Sequence, residues 1–207
     1  MTKAKCAPTN RRSLANGEPN AAVGVVAEYQ REISMGIATS VSKATRKVQK
    51  AVTGEEPQID ILETLKEEHE EVQALLKKLV DSESGSERKS LLSQIKSALV
   101  PHVRAEEKIV YDAVISLRDK DAKQDGQEGY LEHGLADKML ATLGKIDNAM
   151  SPEFGAAAKV LKELVAHHVE EEESNVWADV KEHFSIDQRH LMNSRYLAAK
   201  KSVRIPQ

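Results

Sequence analysis

Apolar residues recur at steps of three and four along most of this chain of 207 residues, a pattern typical of amphipathic α-helices. Between residues 60 and 184 the pattern predicts four long helices, and a capping box at Ser185 and Gln188 begins one more. We expect the four at about 60–80, 87–117, 130–150 and 152–184, with a loop at 119–129. The fold class predicted is therefore all-α: an up-down-up-down four-helix bundle with an extra N-terminal helix and a short C-terminal helix.

The first 56 residues differ in composition from the rest of the chain. Residues 1–20 mix charged and small polar residues without apolar periodicity, which is typical of a flexible terminus. From Ala21 to about Val52 the helical spacing returns, and it predicts an amphipathic helix that packs on the main domain, on a second copy or on a partner chain. Gly54 and Pro57 then break the pattern. We therefore expect two parts, 1–56 and 57–207, the second holding the bundle and the C-terminal helix.

Each of the four long helices carries one histidine within its apolar seam. These histidines are His69, His102, His133 and His168. Their nearly equal intervals bring all four to one level of an antiparallel bundle. A single histidine in a core is more often a hydrogen-bonded core residue than a ligand. Four of them at one level instead predict a common site.

Two segments of the chain repeat one another. Each contains His-x-x-x-Glu, a spacing that puts the imidazole and the carboxylate on one face of a helix. Each also has a valine one residue after the histidine, a second glutamate five after it and an aromatic residue nine after it. The repeated residues are His102, Val103, Glu106, Glu107 and Tyr111 in the first copy, and His168, Val169, Glu172, Glu173 and Trp177 in the second.

The register of the last long helix depends on this repeat. A seam through His167 and Glu171 is as periodic as the one through His168 and Glu172. Aligning the two copies selects His168 and Glu172, and it leaves His167 outside the ligand set.

The residue types at these positions predict a metal site. A carboxylate buried among aliphatic side chains is costly unless it is paired or bound to a cation. Two carboxylates and four imidazoles suit two metal ions, with each glutamate placed to bridge them. A donor set of nitrogen and oxygen favours iron and is also compatible with manganese or zinc. The Glu-x-x-His spacing of ferritin-like di-iron sites is absent from this sequence.

Composition limits the partners and the location. The formal net charge is −3, with signs interspersed, so we expect no nucleic acid partner. Cys6 is the only cysteine, which fits a reducing, cytoplasmic compartment. Arg11-Arg12 resembles a twin-arginine export signal only weakly, because the apolar stretch after it is short. No run approaches the roughly 20 apolar residues that cross a bilayer.

Residues 60 to about 184 resemble a bacterial hemerythrin-like protein, the HHE cation-binding domain. The resemblance rests on His69, His102-x-x-x-Glu106, His133 and His168-x-x-x-Glu172, together with the pairs Glu132-His133 and Glu106-Glu107. It implies a four-helix bundle that holds a non-haem di-iron centre and binds O₂, and in some members NO or peroxide.

The chain departs from the invertebrate oxygen carriers of that family at one position. Those proteins have a second histidine one turn after the ligand on the third helix, where this chain has Asp137. The resemblance therefore implies a coordination position open to water, hydroxide or Asp137 itself. Tyr130, Glu132, Tyr111 and His167 are the other residues we expect beside the ligands.

Three functions remain compatible with the sequence. The first is a di-iron protein that binds O₂, NO or peroxide for sensing, storage or stress protection, or that buffers iron. The second is a di-iron oxidase or catalase-like enzyme, in which Tyr130 or Tyr111 donates a proton or an electron. The third is a helical scaffold in which the metal only stabilises the bundle and the N-terminal helix recruits a second copy or another protein.

Overall fold

The computed structural model describes residues 58–205, and within them the protein is all-helical. The predicted N-terminal helix at 21–52 and the boundary at residue 56 lie outside this part of the chain. In two places an α-helix continues through a π-helical turn into a further α-helix. Counting each uninterrupted helical stretch as one rod, the segments form five rods. The segments are α1 (Ile61–Asp81), α2 (Gly85–Glu106), π1 (Glu107–Tyr111), α3 (Asp112–Ile115), α4 (Lys120–Lys145), α5 (Pro152–Glu171), π2 (Glu172–Val176), α6 (Trp177–His183) and α7 (Ile186–Ser202).

Side-chain caps fix where most rods begin. Asp60 accepts a hydrogen bond from the backbone N–H of Leu62, and Ser84 accepts one from Glu87. Ser151 caps α5, and Ser185 forms the predicted capping box with Gln188. Each such cap stabilises its helix by about 1 kcal/mol. The caps therefore determine where the helices begin, and packing between the helices holds them together.

The loop predicted at 119–129 is wrong, because α4 begins at Lys120. The carboxylate of Asp119 accepts hydrogen bonds from the N–H groups of Asp121 and Ala122 and so caps the helix ten residues earlier than expected. The glycines that suggested a loop instead permit close packing. A Cβ at Gly129 would lie 2.5 Å from the ring of Tyr111.

The four longest rods form a closed ring. α1 packs against α2 and α5, and α4 packs against the same two helices. α7 lies outside the ring and packs against α1, α2 and π1. The all-α bundle is thus confirmed for the described residues, whereas the alternating direction of its helices stays a prediction.

Two clusters of buried apolar residues fill the ring, one on each side of the histidine level. One cluster is built around Leu76, Ile95 and Leu161, and the other around Leu65, Val110 and Val180. Burying one such side chain contributes about 1.5–3 kcal/mol. Two complete apolar layers therefore hold the bundle, and they leave the polar layer between them available for chemistry.

Candidate metal centre

The structure brings all six predicted ligands into that polar layer. All six are buried, and Glu106 is fully inaccessible to solvent. Five of the six supply ligand atoms to two overlapping groups in which the atoms lie within 4.8 Å of one another, and Glu172 lies beside both groups. The first group is His69, His102 and Glu106, and the second is Glu106, His133 and His168.

Each of the two carboxylates lies between one histidine of each group. Glu106 Oε2 is 3.3 Å from His102 Nε2 and 3.5 Å from His133 Nε2. Glu172 Oε2 is 3.5 Å from His69 Nε2 and 3.3 Å from His168 Nε2. Each carboxylate therefore contacts histidines of both groups through its Oε2 atom.

A second ring of glutamates contacts the outer nitrogen of each histidine. The Nδ1 atoms of His69, His102, His133 and His168 lie 3.1, 3.0, 3.4 and 2.7 Å from carboxylate oxygens of Glu173, Glu68, Glu107 and Glu132, respectively. When the imidazole is neutral, an Nδ1–H that faces a carboxylate leaves Nε2 unprotonated and directed inward. Metal-binding histidines are commonly oriented in this way.

Of these four outer glutamates, sequence analysis proposed only Glu132. The other three glutamates could have been predicted from the internal repeat of the sequence. Glu68 precedes His69 as Glu132 precedes His133, and Glu107 and Glu173 occupy the same place in the two His-x-x-x-Glu copies. The outer shell is therefore as regular as the inner one.

Both π turns lie where the repeat places the inward carboxylates. π1 starts directly after Glu106, and π2 starts at Glu172. Such turns are rare and occur often at functional sites. Tyr111, at the end of π1, has its ring 5.2 Å from that of His133, and Trp177, after π2, stacks on His69 at 5.9 Å. Trp177 also donates a 3.4 Å hydrogen bond to Glu172.

Three of the other proposed residues lie away from the inner cluster. Asp137 forms an ion pair with Arg104, which also contacts Glu107. The hydroxyl of Tyr130 donates to the carbonyl of Glu107 and to Asp112. His167 is 58% exposed, and its Nε2 lies 3.7 Å from Glu132.

Tyr111 lies inside, and its environment is unusual. The residue is fully buried, and its hydroxyl has no hydrogen-bond partner among the described residues. Burial raises its pKa, and the nearby charges of Glu172, Glu106 and Glu132 raise it further. The hydroxyl therefore stays protonated and is available to donate.

Burial lowers the pKa values of three of the inward histidines, and the neighbouring carboxylates raise them. Burial favours neutral His102, but Glu106 and Glu68 outweigh it and raise the pKa of His102 to about 9. Burial likewise opposes protonation of His168, whose pKa Glu132 and Glu172 raise to about 10. At His133 burial is the dominant effect and lowers the pKa. In the metal-free protein, protons on His102 and His168 thus balance the buried carboxylates.

The protons on His102 and His168 do not satisfy every buried polar atom of the cluster. The atoms left unsatisfied are suited to binding a cation. Both carboxylate oxygens of Glu106, Oε2 of Glu172 and Nε2 of His69 are buried without a hydrogen-bond partner. Buried polar atoms are nearly always satisfied, so unpartnered acceptors that converge on one point indicate a missing positive group. Nitrogen and oxygen donors without thiolate suit iron, manganese or zinc.

Comparison with known proteins agrees with this geometry. The hemerythrin HHE cation binding domain family matches residues 60–180, and the chain belongs to this family. The match ends before α7. No helix among residues 58–205 is long and apolar enough to cross a membrane.

A DNA nickase from Nostoc sp. (strain PCC 7120 / SAG 25.82 / UTEX 2576) is 27% identical over 145 residues. That region is 70% of this chain but only 40% of the relative, so the chain spans less than half of the relative's length. No solved structure matches the chain at a significant level.

Proposed function

We propose that His69, His102, His133 and His168, with Glu106 and Glu172 as bridges, hold two iron ions. The observation that carries this proposal is that each carboxylate lies between one histidine of each group. Iron supplies redox chemistry and coordination positions that O₂, NO or peroxide can occupy. The physiological role we propose is binding of such a ligand for sensing, storage or stress protection.

The remaining residues of the site orient and protect the ligands. Glu173, Glu68 and Glu132 fix the tautomer and the ring plane of the imidazoles that they contact at Nδ1. Glu107 makes a longer contact of 3.4 Å with Nδ1 of His133, and the two apolar clusters exclude water above and below. The alternating direction of the helices belongs to this proposal. It is supported by the order in which each long rod passes the two clusters, which reverses from one rod to the next.

A di-iron oxidase or catalase-like activity is the enzymatic alternative, and buffering of iron is a third use of the same site. The enzymatic alternative is supported by Tyr111, whose buried hydroxyl has no hydrogen-bond partner among the described residues and whose ring lies 5.2 Å from that of His133. Visible spectra of the iron-loaded protein, recorded under argon and then with O₂, NO or peroxide, test ligand binding. Turnover of peroxide by wild type but not by Tyr111→Phe would favour the enzyme.

The nickase relative gives a second candidate of another class. Its name concerns DNA, whereas the net charge of −3 in this chain led us to expect no nucleic acid partner. Conversion of supercoiled plasmid to the nicked form, measured with the iron-loaded protein and with Glu106→Gln, distinguishes the two expectations. Nicking by wild type alone would assign a DNA-directed activity to this metal centre.

A further inference from the structure

The internal repeat allows the two halves of the centre to be compared position by position. We call His69 and His102 the first half, and His133 and His168 the second half. Glu68-His69 on α1 corresponds to Glu132-His133 on α4, and the two His-x-x-x-Glu segments correspond to each other. The predicted ligands are equivalent in the two halves, so any difference in behaviour must come from their surroundings.

The surroundings differ in chemistry at equivalent positions. In the first half, the residues beside the ligands are apolar or small and are mostly buried: Ile61, Thr64, Leu65, Ala105 and Ile109. The equivalent residues in the second half are Asp125, Glu128, Gly129, Glu171 and Asn175. An apolar groove in one half is thus replaced by an acidic groove in the other.

α7 covers the apolar groove of the first half. Tyr196 is fully buried there, and its hydroxyl lies 2.6 Å from Glu68 Oε2 and 3.0 Å from His102 Nδ1. Lys200 Nζ is 2.6 Å from the same glutamate oxygen. An ion pair between Arg189 and Asp60, 2.8 Å long, holds the start of α7 against α1. The outer side of His102 is therefore closed by α7.

The equivalent groove of the second half forms a pocket. The pocket encloses about 250 Å³, including space open to solvent, and its wall includes His168 and Glu172. Two buried polar groups in this wall have no hydrogen-bond partner, the hydroxyl of Tyr111 and Oε2 of Glu172. Buried polar groups are nearly always satisfied, so these two groups mark a position suited to a water molecule or a cation.

The negative charge of the pocket wall favours cations over other ligands. Asp125, Glu128 and Glu171 place negative charge along its wall. Glu132 also lines the pocket and contacts His168. Carboxylates in a cleft concentrate cations and speed their association, and salt weakens that effect.

We infer that the divalent cation of the second half enters and leaves the metal centre through the acidic groove between α4 and π2. The metal in the second half consequently exchanges quickly, whereas the metal in the first half is retained by α7 through Tyr196, Lys200 and Glu68. This inference rests on the proposed function, because it requires two bound metal ions. Tyr196 and Lys200 are positioning residues that act on His102 through Glu68.

Release of iron to a chelator tests the inference. Protein loaded anaerobically with two Fe²⁺ per chain is mixed with excess ferrozine, and formation of the coloured complex is followed. We expect two phases of equal amplitude whose rates differ by about tenfold or more, the range over which outer partners alter metal binding. Tyr196→Phe and Lys200→Met should each accelerate the slow phase and leave the fast phase unchanged.

Variants in the acidic groove test the proposed route of the metal ion in the second half. Asp125→Asn combined with Glu128→Gln should slow the uptake of Fe²⁺ by the metal-free protein several-fold and reduce the dependence of that uptake on ionic strength, while the slow phase of release stays as in wild type. Glu163→Gln, which removes a carboxylate charge at an exposed ion pair with Lys162, is the matched control, and it should change neither uptake nor release.

The outcomes separate this inference from the proposed function. Wild-type protein that takes up fewer than two iron ions per chain contradicts both. Two irons that leave in a single phase overturn the inference alone, as does acceleration of both phases by Tyr196→Phe, which would show a general loosening of the bundle.

Discussion

Nδ1 of His168 lies 2.7 Å from Oε2 of Glu132, a contact that joins α5 to α4 and turns the other nitrogen of the ring into the centre. The neighbouring His167 is largely exposed and makes no comparable contact.

The first prediction follows from this contrast. His168→Ala should remove the metal of the second half, because it deletes an inward nitrogen, whereas His167→Ala should leave the iron content unchanged. Elemental analysis of the two purified variants makes the comparison, and each serves as the control for the other. The assignment fails if His167→Ala is the variant that loses iron.

The outer glutamates should matter almost as much as the ligands. Glu68→Gln and Glu132→Gln keep the size of the side chain but remove the charge that holds Nδ1–H. We expect each to weaken metal binding by about tenfold or more. The measurement is competition with a chelator of known affinity, and Glu163→Gln, at an exposed ion pair with Lys162, is the control. Equal affinities in all three variants would show that the outer ring is not required.

The metal-free protein should lose stability as the pH rises. The folded state raises the pKa of His102 to about 9 from an ordinary value of 6.5, so the stability from its protonation is present below pH 6.5. It is lost as the pH rises through 9. The loss should be on the order of 1–3 kcal/mol in the free energy of unfolding.

Urea unfolding of the metal-free protein at pH 6.5 and pH 9 measures this effect. Iron-loaded protein is the control, because metal takes the place of the protons and removes the histidine contribution. A metal-free protein that is more stable at pH 9 would contradict the assigned charge balance.

Close packing of α4 against π1 gives a prediction about stability alone. Gly129→Ala places a methyl group against the ring of Tyr111 and should lower the free energy of unfolding by about 1–3 kcal/mol. Gly134→Ala, on the same helix with nothing within 4 Å of its Cβ, should instead raise it by about 0.5–1 kcal/mol. Urea unfolding of the pair gives opposite signs if α4 packs as described, and the same sign if it does not.

The inner cluster was accessible to sequence analysis because its residues obey a strict helical spacing and an internal repeat. His69, for example, interrupts an aliphatic seam, and the same interruption recurs in three further helices. The segment at 119–129 was not accessible, because a helix with polar residues and close-packed glycines has the composition of a loop. Only the neighbouring ring of Tyr111 explains Gly129.

The role of α7 was missed for a different reason. Tyr196 contacts Glu68, which lies 128 positions away in the chain. A local sequence pattern cannot predict a contact between residues so far apart. Glu68, Glu107 and Glu173 were present in the repeat but lay among many other acidic residues. Their significance depends on distances to the histidines, which spacing alone does not give.

The central claim is that six side chains on four helices hold two metal ions, and the number of iron ions bound per chain tests it most directly. Protein purified from iron-replete cells is compared by elemental analysis with the variant Glu106→Gln combined with Glu172→Gln, in which both bridging charges are removed. The account predicts about two iron ions per wild-type chain and a large loss in the double variant. Wild-type protein with only trace metal, or a double variant that keeps the full content, would contradict it.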